Sequence, residues 1–335
     1  MGARATLMLI FVGSMLGTLL TGCAAPSRLG QGDRQKIAGR SFVITGASSG
    51  LGEGAALKLG AYGGNVVLAA RRADVLNEVA GQVRAAGGQA LVVPTDVSKP
   101  EEVERLAREA VERFGAIDVW INDAAVGAIG RFEEIPVEDH ARVVDVNLKG
   151  YIYGSHAALR QFRRQGFGTL VNIASVESRV PLPYHASYSA TKAAILALGA
   201  ALNQELRLSG TKTIKVASIL PWAVDTPFWE HAANYSGHTP QMYPMDDPTG
   251  AVDAIVWVAI HPTKEYAVGW KAQGAIIGDQ IWPGLAERIG ADLVQRAQIE
   301  TAPPAPPTTG SLYTPMRSGT TVEGGVRARM EREDR

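Results

Sequence analysis

The segment Ser41-Phe42-Val43-Ile44-Thr45-Gly46-Ala47-Ser48-Ser49-Gly50-Leu51-Gly52 joins an apolar run to a glycine-rich turn, and Ala55, Ala56, Leu57 and Leu59 carry it on at helical spacing. A short unbroken apolar run is the mark of a strand buried on both faces of a parallel sheet. Glycines between a strand and a helix let backbone amides approach a pyrophosphate, whose charge the helix N-terminus favours. The spacing is Gly-x3-Gly-x-Gly, not Gly-x-Gly-x2-Gly. Such a hit alone is weak. The strand before it and the helix after it give it weight, and make Gly46, Ser48, Ser49, Gly50, Leu51 and Gly52 candidate cofactor contacts.

The same alternation continues outward. Asn65-Val66-Val67-Leu68-Ala69-Ala70 reads as a second strand ending at Arg71-Arg72. An acid at that strand end would accept from an adenosine ribose hydroxyl, whereas arginine pairs with a 2′-phosphate; two arginines favour NADP over NAD, unless they are only a solvated strand end. Asp74 reads as the cap of the next helix. A third strand, Ala90 to Pro94, leads to Thr95-Asp96-Val97. Asp96 is either a cofactor contact at a strand's carboxyl end or a turn residue before the helix that Pro100 starts. Ile117 to Ile121 forms a fourth strand before Asn122-Asp123-Ala124-Ala125, where small residues leave room for a flat cofactor. Asn147 is polar among apolar neighbours and either bonds backbone in the core or projects into a site. Strands at Gly168–Ile173 and Ile214–Ile219 complete the pattern of an α/β fold, a doubly wound and largely parallel sheet.

Tyr188-Ser189-Ala190-Thr191-Lys192 follows, with Ser175 upstream at a strand end. Apolar positions after Lys192 keep helical spacing, so Tyr188 and Lys192 share one face as an i,i+4 pair. A phenol ionises near pH ~10. A nearby ammonium stabilises the phenolate and lowers that value, and Ser175 can bond a substrate oxygen beside it. Alone, such a pair is more often an ordinary surface contact.

The chain has 335 residues, 46% hydrophobic and 20% charged, with zero formal net charge. That is ordinary globular composition, and without a long basic run it offers no reason to propose a nucleic-acid partner. Residues 1–22 read as a signal peptide: Arg4, then an apolar run from Leu7 to Leu20, then Leu20-Thr21-Gly22-Cys23. Cys23, the one cysteine, follows a small-residue cleavage site that resembles a bacterial lipobox, so lipidation there would tether the protein to a membrane. An uncleaved anchor, or a soluble cytoplasmic enzyme with a non-working signal, are the alternatives. Residues 23–38 are expected to be a tether, 39–262 the main domain with an aromatic substrate loop at 222–248, and 263–300 an extension packing on the domain or a membrane. Residues 301–335, with Pro303, Pro304, Pro306 and Pro307, read as a disordered tail.

Together these residues resemble the short-chain dehydrogenase/reductase family over about Arg40 to Ile260. The family's Thr-Gly-x3-Gly-x-Gly turn is Thr45, Gly46, Gly50 and Gly52, and its Asn-Asn-Ala-Gly motif appears as Asn122-Asp123-Ala124-Ala125. The resemblance implies a Rossmann-type fold, a catalytic set of Ser175, Tyr188, Lys192 and Asn147, and no metal. It implies cofactor contacts at Asp96, Val97, Asn122, Ala124, Tyr188, Lys192 and Thr226, and a homodimer or homotetramer formed through the Tyr188 helix and its neighbour. Tyr188 would exchange a proton with a carbonyl or alcohol oxygen, Lys192 would bond the nicotinamide ribose, and Asn147 would hold a relay water. Asp123 and Ala125 depart from the motif, and Trp222 stands where the family commonly has Gly. The function so implied is an NADP(H)-dependent carbonyl reductase or alcohol dehydrogenase for a small apolar substrate. A membrane-tethered NADP(H)-binding sensor without turnover is the competing reading.

Overall fold

A computed structural model describes residues 29–333. Helix α1 (Gln31–Ile37) comes first, then β1 (Ser41–Thr45), α2 (Gly50–Ala61), β2 (Asn65–Ala70), α3 (Ala73–Ala85), β3 (Gln89–Pro94), α4 (Pro100–Phe114) and β4 (Val119–Asn122). The second half adds a short β5 (Ala128–Ile129), α5 (Val137–Val144), α6 (Gly150–Gln165), β6 (Gly168–Ile173), α7 (Ala186–Leu208) and β7 (Ile214–Leu220). It ends with α8 (Phe228–His231), β8 (Ala233–Asn234), α9 (Pro248–Ile260), β9 (Glu265–Ala267), α10 (Gly269–Ile281), α11 (Pro283–Gln295) and α12 (Val326–Glu333).

Seven strands form one parallel sheet in the order β3-β2-β1-β4-β6-β7-β9. The alternation in β1 explains its unbroken apolar run. Phe42 and Ile44 pack with α2, α3 and α9 on one face, and Val43 with α4 and α6 on the other. All three are fully buried, as a strand covered on both sides requires. The chain fills one side of β1 with β2 and β3, then crosses to β4 on the other. The crevice at the carboxyl ends of β1 and β4 is therefore the switch point at which open α/β sheets bind ligands. The expected doubly wound fold is what the structure contains.

Residues 1–28, with the signal-like run and Cys23, lie outside the described residues. Among the described residues no helix is long and apolar enough to cross a membrane.

Two expectations are corrected. The end of the expected tether is α1, whose Ile37 is fully buried among the side chains of α2 and β1. The Gly30 amide donates to the Asp33 carboxylate at 3.1 Å, and Lys36 Nζ lies 2.8 Å from His261 Nε2 on the α9 side. The proline-rich tail is not disordered. Asn234 and Thr308 exchange backbone bonds of 2.8 and 3.0 Å, Thr239 N donates to Pro303 O, and Ala305 N donates to Gly237 O. Proline lacks a donor but keeps a carbonyl, so Pro303 satisfies the Thr239 amide without needing a partner for its own nitrogen. Leu312 and Val326 then bury their side chains.

The 222–248 loop is ordered around α8 and β8, which pairs with β5 as a small parallel sheet. Beyond it, β9 extends the main sheet, and α10 and α11 form a hairpin whose exposed residues include Trp270, Ile281, Trp282 and Ile289.

Candidate active site

A cleft of about 560 Å³ opens at the carboxyl ends of the strands, bounded by the glycine turn, the ends of β2 and β3, the start of α7, the 222–248 loop and the α10–α11 hairpin. At one end the turn is set by sterics. Gly46 has φ +78°, and a Cβ there would sit 2.8 Å from the Ala124 amide nitrogen. A Cβ on Gly52 would meet Gly46 O at 2.5 Å. Thr45 Oγ1 accepts the Asp123 and Ala124 N–H groups at 3.1 and 3.3 Å, which locks the turn to the end of β4. Gly46, Ser48, Ser49, Gly50 and Leu51 line the cleft, and α2 begins at Gly50, so the N-terminus of that helix stands beside it. Glycines, helix N-terminus and a cleft of this size fit a dinucleotide phosphate.

Arg71 and Arg72 also line the cleft. Arg72 grips the turn, its Nη2 donating to Ser48 O at 3.0 Å, Ser48 Oγ at 3.1 Å and Ser49 Oγ at 3.0 Å. Neither arginine ends a solvated strand, because both are covered by main-chain carbonyls of residues 311–319. Asp96 and Val97 line the cleft. The Asp96 carboxylate accepts from Ser98 Oγ at 2.7 Å and Arg142 Nη2 at 3.2 Å. Burial opposes its charge, but the Ser98 and Arg142 bonds hold it below the usual carboxylate range. Ala124 and Thr226 face the cleft, whereas Asn122 does not. Asn122 is a brace: it accepts from Trp120 Nε1 at 2.7 Å and donates to Asn172 Oδ1 at 2.9 Å, tying β4 to β6.

At the other end Ser175, Tyr188 and Lys192 converge. Ser175 lies two residues past β6, and its Oγ accepts the Glu177 N–H at 3.1 Å, starting a short 3₁₀ turn. Tyr188 and Lys192 lie one turn apart on α7, as their spacing predicts. Lys192 is 2% exposed; its Nζ donates to Ile173 O at 2.7 Å and Tyr151 Oη at 3.4 Å and lies 5.5 Å from the Tyr188 ring centre. Burial lowers the Lys192 pKa, against the pull of Asp123 and Glu177. The expected lowering of the phenol is outweighed in this arrangement. Burial first, then the negative fields of Glu177 and Asp123, push Tyr188 up, and the Ser175 hydroxyl is the group that works to lower it.

Asn147 is fully buried and sits in a π-helical turn, Asp145–Lys149. Its side chain is spent on the Val126 backbone, with N–H and C=O both at 2.8 Å, and on Thr191 Oγ1 at 3.3 Å. Of its two alternatives, the side chain takes the backbone bonds, and Asn147 does not line the cleft.

Sequence reasoning missed a second polar group beside the phenol. Glu177 accepts from Ser189 Oγ at 2.6 Å and pairs with His185 Nδ1 at 3.1 Å, while Gln298 bonds the other ring nitrogen. Burial opposes charge on His185, yet Glu177 and Gln298 raise its pKa. No motif marks Glu177. Its only signal is an acid two residues past a strand-end serine. Also missed was the hairpin: Trp282, Leu285 and Ile289 join Trp222 and Met242 to make this end of the cleft apolar.

Fold and site together define an oxidoreductase of the dinucleotide-binding α/β class, with a serine, a tyrosine and a lysine gathered at the far end of its cleft. Residues 40–235 match the family described as short chain dehydrogenase. An uncharacterised oxidoreductase of Bacillus subtilis, YxnA, is 31% identical over 301 residues, 88% of this chain and 84% of the relative. Another, from Staphylococcus haemolyticus, is 37% identical over 68% of this chain and 94% of its own length. An alcohol dehydrogenase from the archaeon Thermococcus sibiricus, solved with 5-hydroxy-NADP, is 29% identical and superposes with a TM-score of 0.58, covering 68% of this chain and 95% of the other. The chain belongs to the short-chain dehydrogenase family.

Proposed function

We propose that this protein transfers hydride between NADP(H) and the carbonyl or secondary alcohol of a small apolar substrate, with Tyr188 as the acid/base. The observation that carries the reading is the meeting of Ser175, Tyr188 and Lys192 at the apolar end of a cleft whose other end is the glycine turn. When bound, the nicotinamide supplies the hydride chemistry. Ser175 Oγ holds the substrate oxygen, and the Tyr188 hydroxyl gives or takes its proton. The Ser175 hydroxyl works against the burial that keeps the phenol protonated. Trp222, Met242 and the α10–α11 hairpin exclude water and select apolar substrates. Asn147, its side chain committed to Val126, contributes to the proton relay through its main chain in the π-helical turn.

NADP(H) is favoured over NAD(H) because the end of β2 presents two guanidinium groups and no carboxylate. The NADP derivative bound by the Thermococcus alcohol dehydrogenase supports the same preference. The N-terminal apolar run and Cys23 support attachment to a membrane, tested by labelled-palmitate incorporation and fractionation of wild type against Cys23→Ala.

The decisive variant is Tyr188→Phe. Turnover across a panel of ketones should fall by about 10²–10⁴-fold, while NADPH binding, read by fluorescence, stays unchanged. Turnover that survives the substitution overturns the mechanism.

A further inference from the structure

The C-terminal segment follows the outer lip of the cleft. It is buried at Ser311 and Leu312 and again at Val326, and half-exposed or exposed between them. At the arginine end, Arg71 donates to the carbonyls of Ser311 at 2.5 Å, Leu312 at 3.2 Å and Tyr313 at 2.9 Å. Arg72 Nη1 donates to Met316 O at 3.1 Å and Ser318 O at 3.2 Å. Over the start of α2, the Gly50 amide donates to Thr321 O at 3.0 Å. At the far end, next to Thr226, the Asp225 carboxylate accepts the Val326 and Arg327 N–H groups at 2.9 and 3.0 Å and so caps α12. Ser311 and Pro315 line the cleft, and about 560 Å³ stays open beneath them. The segment roofs the cleft and does not fill it.

We propose that residues 311–326 form the outer wall of the dinucleotide site, a strap that retains bound nucleotide and has to lift before it can be exchanged. The proposal rests on the oxidoreductase reading above and adds to that site a wall from outside the family-matched residues 40–235.

The physics of the strap matches such a role. Its middle is held by main-chain carbonyls on arginine and amide donors, with no buried apolar side chain between Leu312 and Val326. The buried apolar side chains sit at its two ends, so the middle lifts while the ends stay seated. Gly310, Gly319 and Gly325 have positive φ and mark the bends. Phosphate oxygens are stronger acceptors than neutral carbonyls, so Arg71 and Arg72 turn toward a bound nucleotide while Leu312 and Asp225 still hold the strap.

The test uses full-length protein and two strap variants. A Cβ on Gly324 would lie 2.4 Å from Thr226 O, and one on Gly319 2.4 Å from His231 Nε2, so Gly324→Ala and Gly319→Ala each prise the strap outward. NADPH dissociation is followed by stopped-flow fluorescence after chasing with excess NADP⁺. Both variants should release NADPH about tenfold faster, as expected from losing one or two of these bonds. NADPH binding with unchanged dissociation in both variants overturns the strap alone. Tighter NADPH binding in the variants also overturns it, since the segment would then be a competitor. Absence of nucleotide binding in every form sinks the oxidoreductase reading and the strap with it.

Discussion

Arg72 ties the glycine turn to the C-terminal segment through different nitrogens of one guanidinium, a division that a lysine could not reproduce. Arg72→Ala should therefore weaken NADPH binding by about 10–100-fold, the range for one charge-assisted contact, with a much smaller effect on NADH. Parallel titrations check the ratio, and equal losses for both nucleotides would assign Arg72 to structure. Glu53, on α2, is 5% exposed and has an unpartnered carboxylate oxygen. Burial raises its pKa to about 7, with Arg72 opposing. The folded state thus holds a proton that the unfolded chain releases above its ordinary carboxylate pKa. The stability linked to that proton is fully present below pH ~4.5 and is lost as pH rises through about 7. Glu53→Gln should raise Tm at pH 8 and leave it nearly unchanged at pH 4.5; thermal melts across that window decide the matter.

The elements that present the chemistry owe their positions to buried polar contacts as much as to apolar packing. Lys192 reaches back from α7 to Ile173 O, and Asn122 and Asn172 pair across β4 and β6, so helix and strands are registered before any substrate arrives. Helix α1 is the simplest element to test. Ile37→Ala removes a fully buried side chain and should cost about 2–5 kcal/mol, visible as a lowered denaturation midpoint. Unchanged stability would return α1 to the status of a tether. The reason it was unreadable is concrete: one apolar residue in a polar heptad carries no period, and the helix packs against α9, far away in sequence.

For the molecule as a whole, the two faces of the sheet are closed by helices, but Ile152 stays exposed in a groove between α6 and α7. The family resemblance implies pairing through these helices. Light scattering should give a dimer or tetramer, and Ile152→Glu should shift it toward monomer without lowering thermal stability. A monomeric wild type would remove the inference. At this scale the tail is where reading the chain failed. Its prolines and polar residues predict disorder, yet it is seated by backbone groups, which every residue possesses and composition does not register.

By itself the sequence determined the parallel α/β sheet, through apolar runs that only two-sided burial explains, and the pairing of Tyr188 with Lys192, through helical periodicity. Those are local signals: neighbours in the chain carry them. Only the tertiary structure decided that Glu177 acts on the phenol with His185 and Gln298 bonded in line behind it, that the α10–α11 hairpin walls the substrate end, and that residues 311–326 roof the cofactor end. The Gln298, hairpin and tail contacts join residues a hundred or more positions apart or rest on main-chain atoms, and Glu177 belongs to no motif, so none of them leaves a pattern in the order of side chains.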